Sequence, residues 1–150
     1  MARACRAVAT SCWANRGGIV TYDFEVSDEI PASPDEIYAA WMSSEGHSAM
    51  TGGEARIGPK KGDEIAAWDG YVHGKTLELE PSRRIVQSWR TTQFTDDQED
   101  SRIEVLLDSK DDATLITARH SNVPSDQRGY QDGGWQQSYF TPMKEYFDRQ

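Results

Sequence analysis

Cysteine is scarce in this sequence. Two stand among 150 residues, Cys5 and Cys12, both inside the first twelve positions, so a disulfide framework cannot be what holds the rest together. Their spacing matches no common zinc pattern and no histidine lies near, so a metal site is not expected. Basic residues are also short, 16 Lys and Arg against 25 Asp and Glu, for a formal net charge of −9. Phosphate contacts need clustered Lys and Arg, which argues against nucleic acid and anionic membranes as main partners. The small basic spots, Lys60-Lys61 and Arg83-Arg84, read as solvated turns. No apolar run approaches the roughly 20 residues of a membrane span. Missing too are the G-x-S-x-G nucleophile motif and a phosphate-binding glycine loop, and no two of His47, His73 and His120 have metal-ligand spacing. No cofactor and no enzymatic activity are expected.

What is present suits a single domain, long enough to hide roughly 70% of its unfolded surface. The first 18 residues carry Arg3, Arg6 and Arg16 and no acid. That bias is like an organelle transit peptide, but the stretch is short and has no apolar segment suited to a secretory signal. A disordered tail or a misassigned start is the preferred expectation, with the folded domain running from residue 19 to 150 in the cytoplasm.

Val20, Tyr22, Phe24 and Val26 alternate with polar residues, which predicts a strand with one buried face. Ser33, Pro34 and Glu36 form a capping box that opens a helix over 34–42, with Ile37, Ala40 and Trp41 inward. The glycine-broken stretch 45–64 predicts a short helical turn, a weak strand around 55–57 and a turn at 59–62. Strands follow at 64–68, 71–80 and 84–92, with a hairpin signal at Asp69-Gly70. After an acidic loop at 95–100, strands around 103–107 and 114–120 complete the run. From about Asp126 the spacing becomes helical, with Trp135, Tyr139, Met143 and Tyr146 or Phe147 on one stripe. Antiparallel strands closed by one helix must bury that stripe on the sheet, whose twist wraps around it. Trp89, at the end of its strand, is expected on the concave side.

Several side chains admit more than one role. His120 follows Ile116 and Ala118 at period two and faces inward, as a hydrogen-bonded core residue, a contact for a ligand head or a general base. His73 is expected to be exposed. Gln87, between Ile85 and Trp89, needs partners if buried, whether protein groups or a ligand. Trp135, Tyr139 and Met143 are core or cavity wall, and Trp41 and Trp68 carry the same ambiguity. The acids at 96–100 are oxygen donors of a kind calcium takes, but without EF-hand spacing they read as a solvated loop.

The segments ASPDEIYAAW (32–41), GDEIAAWDGYVHGKTLELEPSRRIVQSWR (62–90), ATLITARHSNVP (113–124) and GGWQQSYFTPMKEYF (133–147) together resemble the START-like (SRPBCC) superfamily. Within it, the sequence looks most like the C-terminal domain of the heat-shock protein 90 ATPase activator and its stand-alone homologues. The resemblance covers about residues 22–148. It implies an α+β helix-grip fold, a curved antiparallel sheet around a long C-terminal helix, with a cavity between them. It also implies an apolar or amphipathic small molecule in that cavity, lined by Trp41, Trp68, Gln87, Trp89, His120, Trp135, Tyr139 and Met143. Heat-shock protein 90 is implied as an alternative partner, and a cavity enzyme as a third reading. Two departures stand out: no counterpart of the activator's N-terminal domain is recognised, and Pro142 falls inside the expected helix, where it removes a backbone hydrogen bond and favours a kink.

Overall fold

The alternation that begins near Val20 becomes β1 (Thr21–Ile30) in the computed structural model, which describes residues 20–149. The expectations for residues 1–18 and for both cysteines lie outside the described residues. Next comes α1 (Pro34–Trp41), opened by the capping box: Ser33 Oγ accepts from the Glu36 N–H, and the Glu36 carboxylate accepts from the Ser33 N–H. Such a cap stabilises a helix by about 1 kcal/mol. The expected helical turn is a full two-turn helix, α2 (Ser44–Thr51), capped by Ser43 and ended by Gly52 in the left-handed region. Strands β2 (Arg56–Ile57), β3 (Glu64–Ala67), β4 (Val72–Glu80), β5 (Arg84–Thr91), β6 (Ser101–Lys110) and β7 (Ala113–Pro124) follow.

All seven strands form one antiparallel sheet in the order β1-β7-β6-β5-β4-β3-β2. Register places Val105 beside Ala118 and Ile103 beside His120, so every second residue of the central strands faces one side. That side meets Ile37, Trp41, Met143 and Phe147 in a single core. The arrangement is the α+β helix-grip architecture, and it explains why one face of each strand is apolar while the other is charged.

Two irregularities bend the sheet. Between Thr76 and Glu78 the β4–β5 register shifts. Thr76 is fully buried while Leu77 is 38% exposed, so Leu77 is the extra residue that a bulge pushes out of the alternation. On the same hairpin, Ser88 Oγ accepts from the Lys75 N–H, and Gly74 lies so close to the Ser88 carbonyl that a Cβ there would sit 1.9 Å from its oxygen. A second shift lies in β1 between Tyr22 and Phe24. It lets β7 continue past His120 to Pro124, four residues beyond the expected end.

The 81–84 turn is only half as wet as its sequence implies. Arg83 is exposed, but Arg84 starts β5 and makes ion pairs with Glu78, Glu80 and Glu104. The hydrogen bonds it donates to Glu78 and Glu104 hold its pKa above the ordinary arginine value.

The last helix begins later than expected. Residues 126–133 form a loop with one 3-10 turn at Arg128–Tyr130. Gly133, at φ 114, ends that loop. A π-helical turn (Gln136–Phe140) then runs into α3 (Thr141–Asp148). Here Pro142 finds its place. The Thr141 N–H reaches back five residues to the Gln136 carbonyl, and Pro142 occupies the first turn of α3, where its missing N–H and fixed φ are tolerated. The wider turn also brings both Tyr139 and Phe140 to the core. On the edge strand, Asp28 accepts from Gln136 Nε2 at 2.9 Å and Lys144 Nζ at 3.1 Å, tying the helix to β1.

Candidate functional site

The eight residues expected around the cavity separate into two groups. Trp41, Gln87, His120 and Met143 are fully buried in the packed core. Trp68, Trp89, Trp135 and Tyr139 wall a cleft of about 520 Å3. It opens at one end of the sheet, between the β3–β4 hairpin, the end of β5, the 126–134 loop and the π-helical turn.

In the core, Gln87 is satisfied by protein groups. Its Oε1 accepts from Trp41 Nε1 at 3.1 Å, and its Nε2 donates to Thr76 Oγ1 at 3.2 Å. His120 is equally engaged. An indole N–H can only donate, so Trp135 Nε1 donates to Nδ1 at 3.2 Å. The proton of a neutral ring is then on Nε2, facing Ser101 Oγ at 2.7 Å. Ser101 passes the chain on to the Trp89 carbonyl. Burial lowers the His120 pKa to about 3, which keeps the ring neutral.

His47 is the important residue that sequence reasoning passed over. It is 1% exposed and sits on α2 between α1 and the last helix. Its Nδ1 donates to the Trp41 carbonyl at 3.0 Å, so its Nε2 accepts from the Tyr139 hydroxyl at 2.9 Å. Burial lowers its pKa to about 4, only partly offset by the Trp41 carbonyl, and burial likewise raises that of Tyr139. The signal for His47 is helical: it and Met50 are spaced three apart and share the buried face of α2, in a segment whose glycines suggest no more than a single turn. His73 is exposed, as its alternation predicts.

The cleft wall is aromatic. Trp135 lies 5.7 Å from Trp89 and 5.1 Å from Tyr139, centroid to centroid. Trp68 meets Tyr139 edge-on at 6.2 Å. Tyr71 and Tyr130 complete the wall, and Gln93, Asp126 and Ser138 add polar groups; none of these five was foreseen. Alternation marks Tyr71 as a strand-end residue and Tyr130 falls in a loop, so neither carries a signal of its own.

Trp68 has φ 54, followed by Asp69 at 59 and Gly70 at 89. A bulky side chain is rare in the left-handed region and costs of order 1–3 kcal/mol there. Packing holds it: a Cβ on Gly53 would lie 2.5 Å from the Trp68 ring. Asp69 Oδ1 also accepts from the Glu54 N–H. The π-helical turn supplies Ser138 and Tyr139 to the same cleft, and such turns concentrate at functional positions.

Two buried polar atoms in this region make no hydrogen bond of ordinary geometry, Trp89 Nε1 and the Tyr130 hydroxyl. Burial raises the Tyr130 pKa to about 12, with Thr91 near enough to offset part of the rise. Among the described residues, no group of three or more His, Cys, Asp or Glu could hold a metal ion, and no helix is long and apolar enough to cross a membrane.

Comparison with known proteins gives a consistent relationship. The activator of 90 kDa heat shock protein ATPase homolog 1 of Homo sapiens is 26% identical over 130 residues, which are 86% of this chain and 38% of the human protein. The Dictyostelium discoideum homologue is 22% identical over 128 residues, 85% of this chain and 33% of that protein. The chain therefore spans between a third and two fifths of these relatives. Among solved structures, an HSP90 activator from Plasmodium falciparum superposes with a TM-score of 0.75 at 19% identity, covering 85% of this chain and 96% of that one. CalU16 from Micromonospora echinospora superposes with a TM-score of 0.70 at 20% identity, covering 85% and 76%. Residues 31–148 match the family described as activator of Hsp90 ATPase homolog 1-like protein, and this chain belongs to that family.

Proposed function

We propose that this chain is a binding module that takes up an apolar or amphipathic small molecule in the cleft between sheet and last helix. The observation that carries this reading is the 520 Å3 aromatic cleft walled by Trp68, Trp89, Trp135 and Tyr139. Its size and its balance of apolar wall to a few polar groups are those of small-molecule sites. Binding rather than catalysis is favoured by the two buried histidines: each has both ring nitrogens engaged inside the protein, which leaves neither as a base for a bound substrate.

Native mass spectrometry of protein from its own host, followed by thermal-shift measurements on stripped protein, tests the reading. A co-purifying molecule that restores the melting temperature on return is the expected result. At 100 times its dissociation constant it adds about 2.7 kcal/mol. A protein that is empty when isolated and unmoved by lipids, sterols and aromatics would remove the reading.

A second reading is favoured by the relatives' names: contact with heat-shock protein 90 and modulation of its ATPase. The chain matches 38% of the human activator's length, so this reading concerns the matching part alone. Adding the chain to the purified chaperone and following ATP hydrolysis decides it; an unchanged rate and no co-elution would count against it.

A further inference from the structure

Both unpartnered buried side-chain polar atoms among the described residues, Trp89 Nε1 and the Tyr130 hydroxyl, belong to residues that line the same cleft. Elsewhere the buried polar side chains are paired with care: Gln87, His47 and His120 each use both ends. A buried donor without a partner in an otherwise satisfied interior calls for one from outside. The indole N–H of Trp89 can only donate, so what it lacks is an acceptor; the Tyr130 hydroxyl serves a bond of either sense. Around them the wall is ring on ring, with Trp89, Trp135 and Tyr139 in mutual contact. Such a wall favours a flat ring system that offsets or meets it edge-on. Among the described side chains that line the cleft, Asp126 is the one carboxylate and there is no Lys, Arg or His, so an anionic head group finds no countercharge.

We infer that the ligand of this cleft is a planar aromatic molecule that carries a hydrogen-bond acceptor and no negative charge, and that Trp89 Nε1 is the donor that reads this acceptor. This rests on the cleft being a ligand site and adds the chemistry that the site selects. Tyr130 supplies the second polar contact, and the aromatic walls supply the rest.

The test uses three probes on the full chain: 9-fluorenone, fluorene and palmitate. Fluorenone and fluorene share a flat three-ring frame and differ in the carbonyl acceptor. Fluorenone should bind roughly fivefold more tightly than fluorene, the scale of one neutral hydrogen bond. In 15N-labelled protein, the indole proton of Trp89 should move downfield with fluorenone and not with fluorene. Trp89→Phe should remove most of the difference between the two affinities while fluorene still binds. Tyr130→Phe, which removes one hydroxyl, should reduce the preference without abolishing it. If Trp89→Phe fails to fold, the indole proton of the unaltered protein decides the matter. Equal affinities for the two tricycles, or a stationary Trp89 proton, would overturn the inference and leave the cleft a binding site. So would binding of palmitate alone. If none of the three binds, the inference falls, and native mass spectrometry with the wider thermal-shift screen decides the binding-module reading separately.

Discussion

At the scale of single residues, the interior polar groups are what make this core specific. Gln87 joins α1 to β4 by accepting from Trp41 and donating to Thr76. Gln87→Leu keeps much of the volume but orphans both partners, and each orphaned buried group costs about 1–3 kcal/mol. The expected loss is roughly 2–4 kcal/mol in a urea titration; a loss below about 0.5 kcal/mol would show that Trp41 and Thr76 find other partners. The two buried histidines give a pH prediction. Burial lowers His47 to about 4 and His120 to about 3, against roughly 6.5 in an unfolded chain. Below that value the unfolded state takes up protons that the folded state refuses, so stability is full above pH 6.5 and falls as pH drops toward 4. Each histidine contributes a slope of up to about 1.4 kcal/mol per pH unit in that window. Urea unfolding at pH 7.5, 6.0 and 5.0 measures it, and constant stability across the three would contradict two neutral, buried rings.

Among the elements, the β4–β5 hairpin and the last helix carry the deviations from regular pattern, and both border the cleft. Gly74 is required by closeness: a Cβ there would overlap the Ser88 carbonyl, which belongs to backbone and cannot swing away. Gly74→Ala should therefore separate the strands and cost more than about 3 kcal/mol, among the largest effects of any single methyl. A variant as stable as the parent would mean that the hairpin has slack the geometry does not show. The strands expected at 71–80 and 84–92 made this hairpin legible, yet their spacing did not show the bulge that puts Leu77 outside. Period-two reading assumes an unbroken pleat, and a bulge reverses the faces beyond it. The last helix has the converse history. Its stripe of Trp135, Tyr139 and Met143 was plain, but its π-helical turn was not, because backbone hydrogen bonds leave no mark on side-chain spacing that a short segment can reveal.

At the scale of the whole molecule, one continuous core joins sheet and helices. Trp41 from α1, Met50 from α2, Ile85 and Ile103 from the sheet and Met143 from α3 all belong to it. Unfolding should then be a single cooperative transition. Tryptophan fluorescence, reporting the aromatic cluster, and far-ultraviolet circular dichroism, reporting the sheet, should give coincident urea midpoints. Separate midpoints would mean that the helices leave before the sheet.

The class of fold was legible from local pattern alone. Alternating strands, a capped first helix, hairpin turns and a terminal aromatic stripe are local patterns, and local sterics and burial period suffice to read them. That pattern also marked which aromatic residues face inward. It did not distinguish those that complete the core from those that wall a space. Gln87 and Trp41 lie in the core because they meet each other across 46 positions of chain, while Trp89 and Trp135 reach the cleft because Tyr71 and Tyr130 arrive beside them from a hairpin and a loop. Burial period tells a residue's face, whereas a cavity is a shortage of neighbours, and only the tertiary arrangement of distant segments decides where that shortage falls.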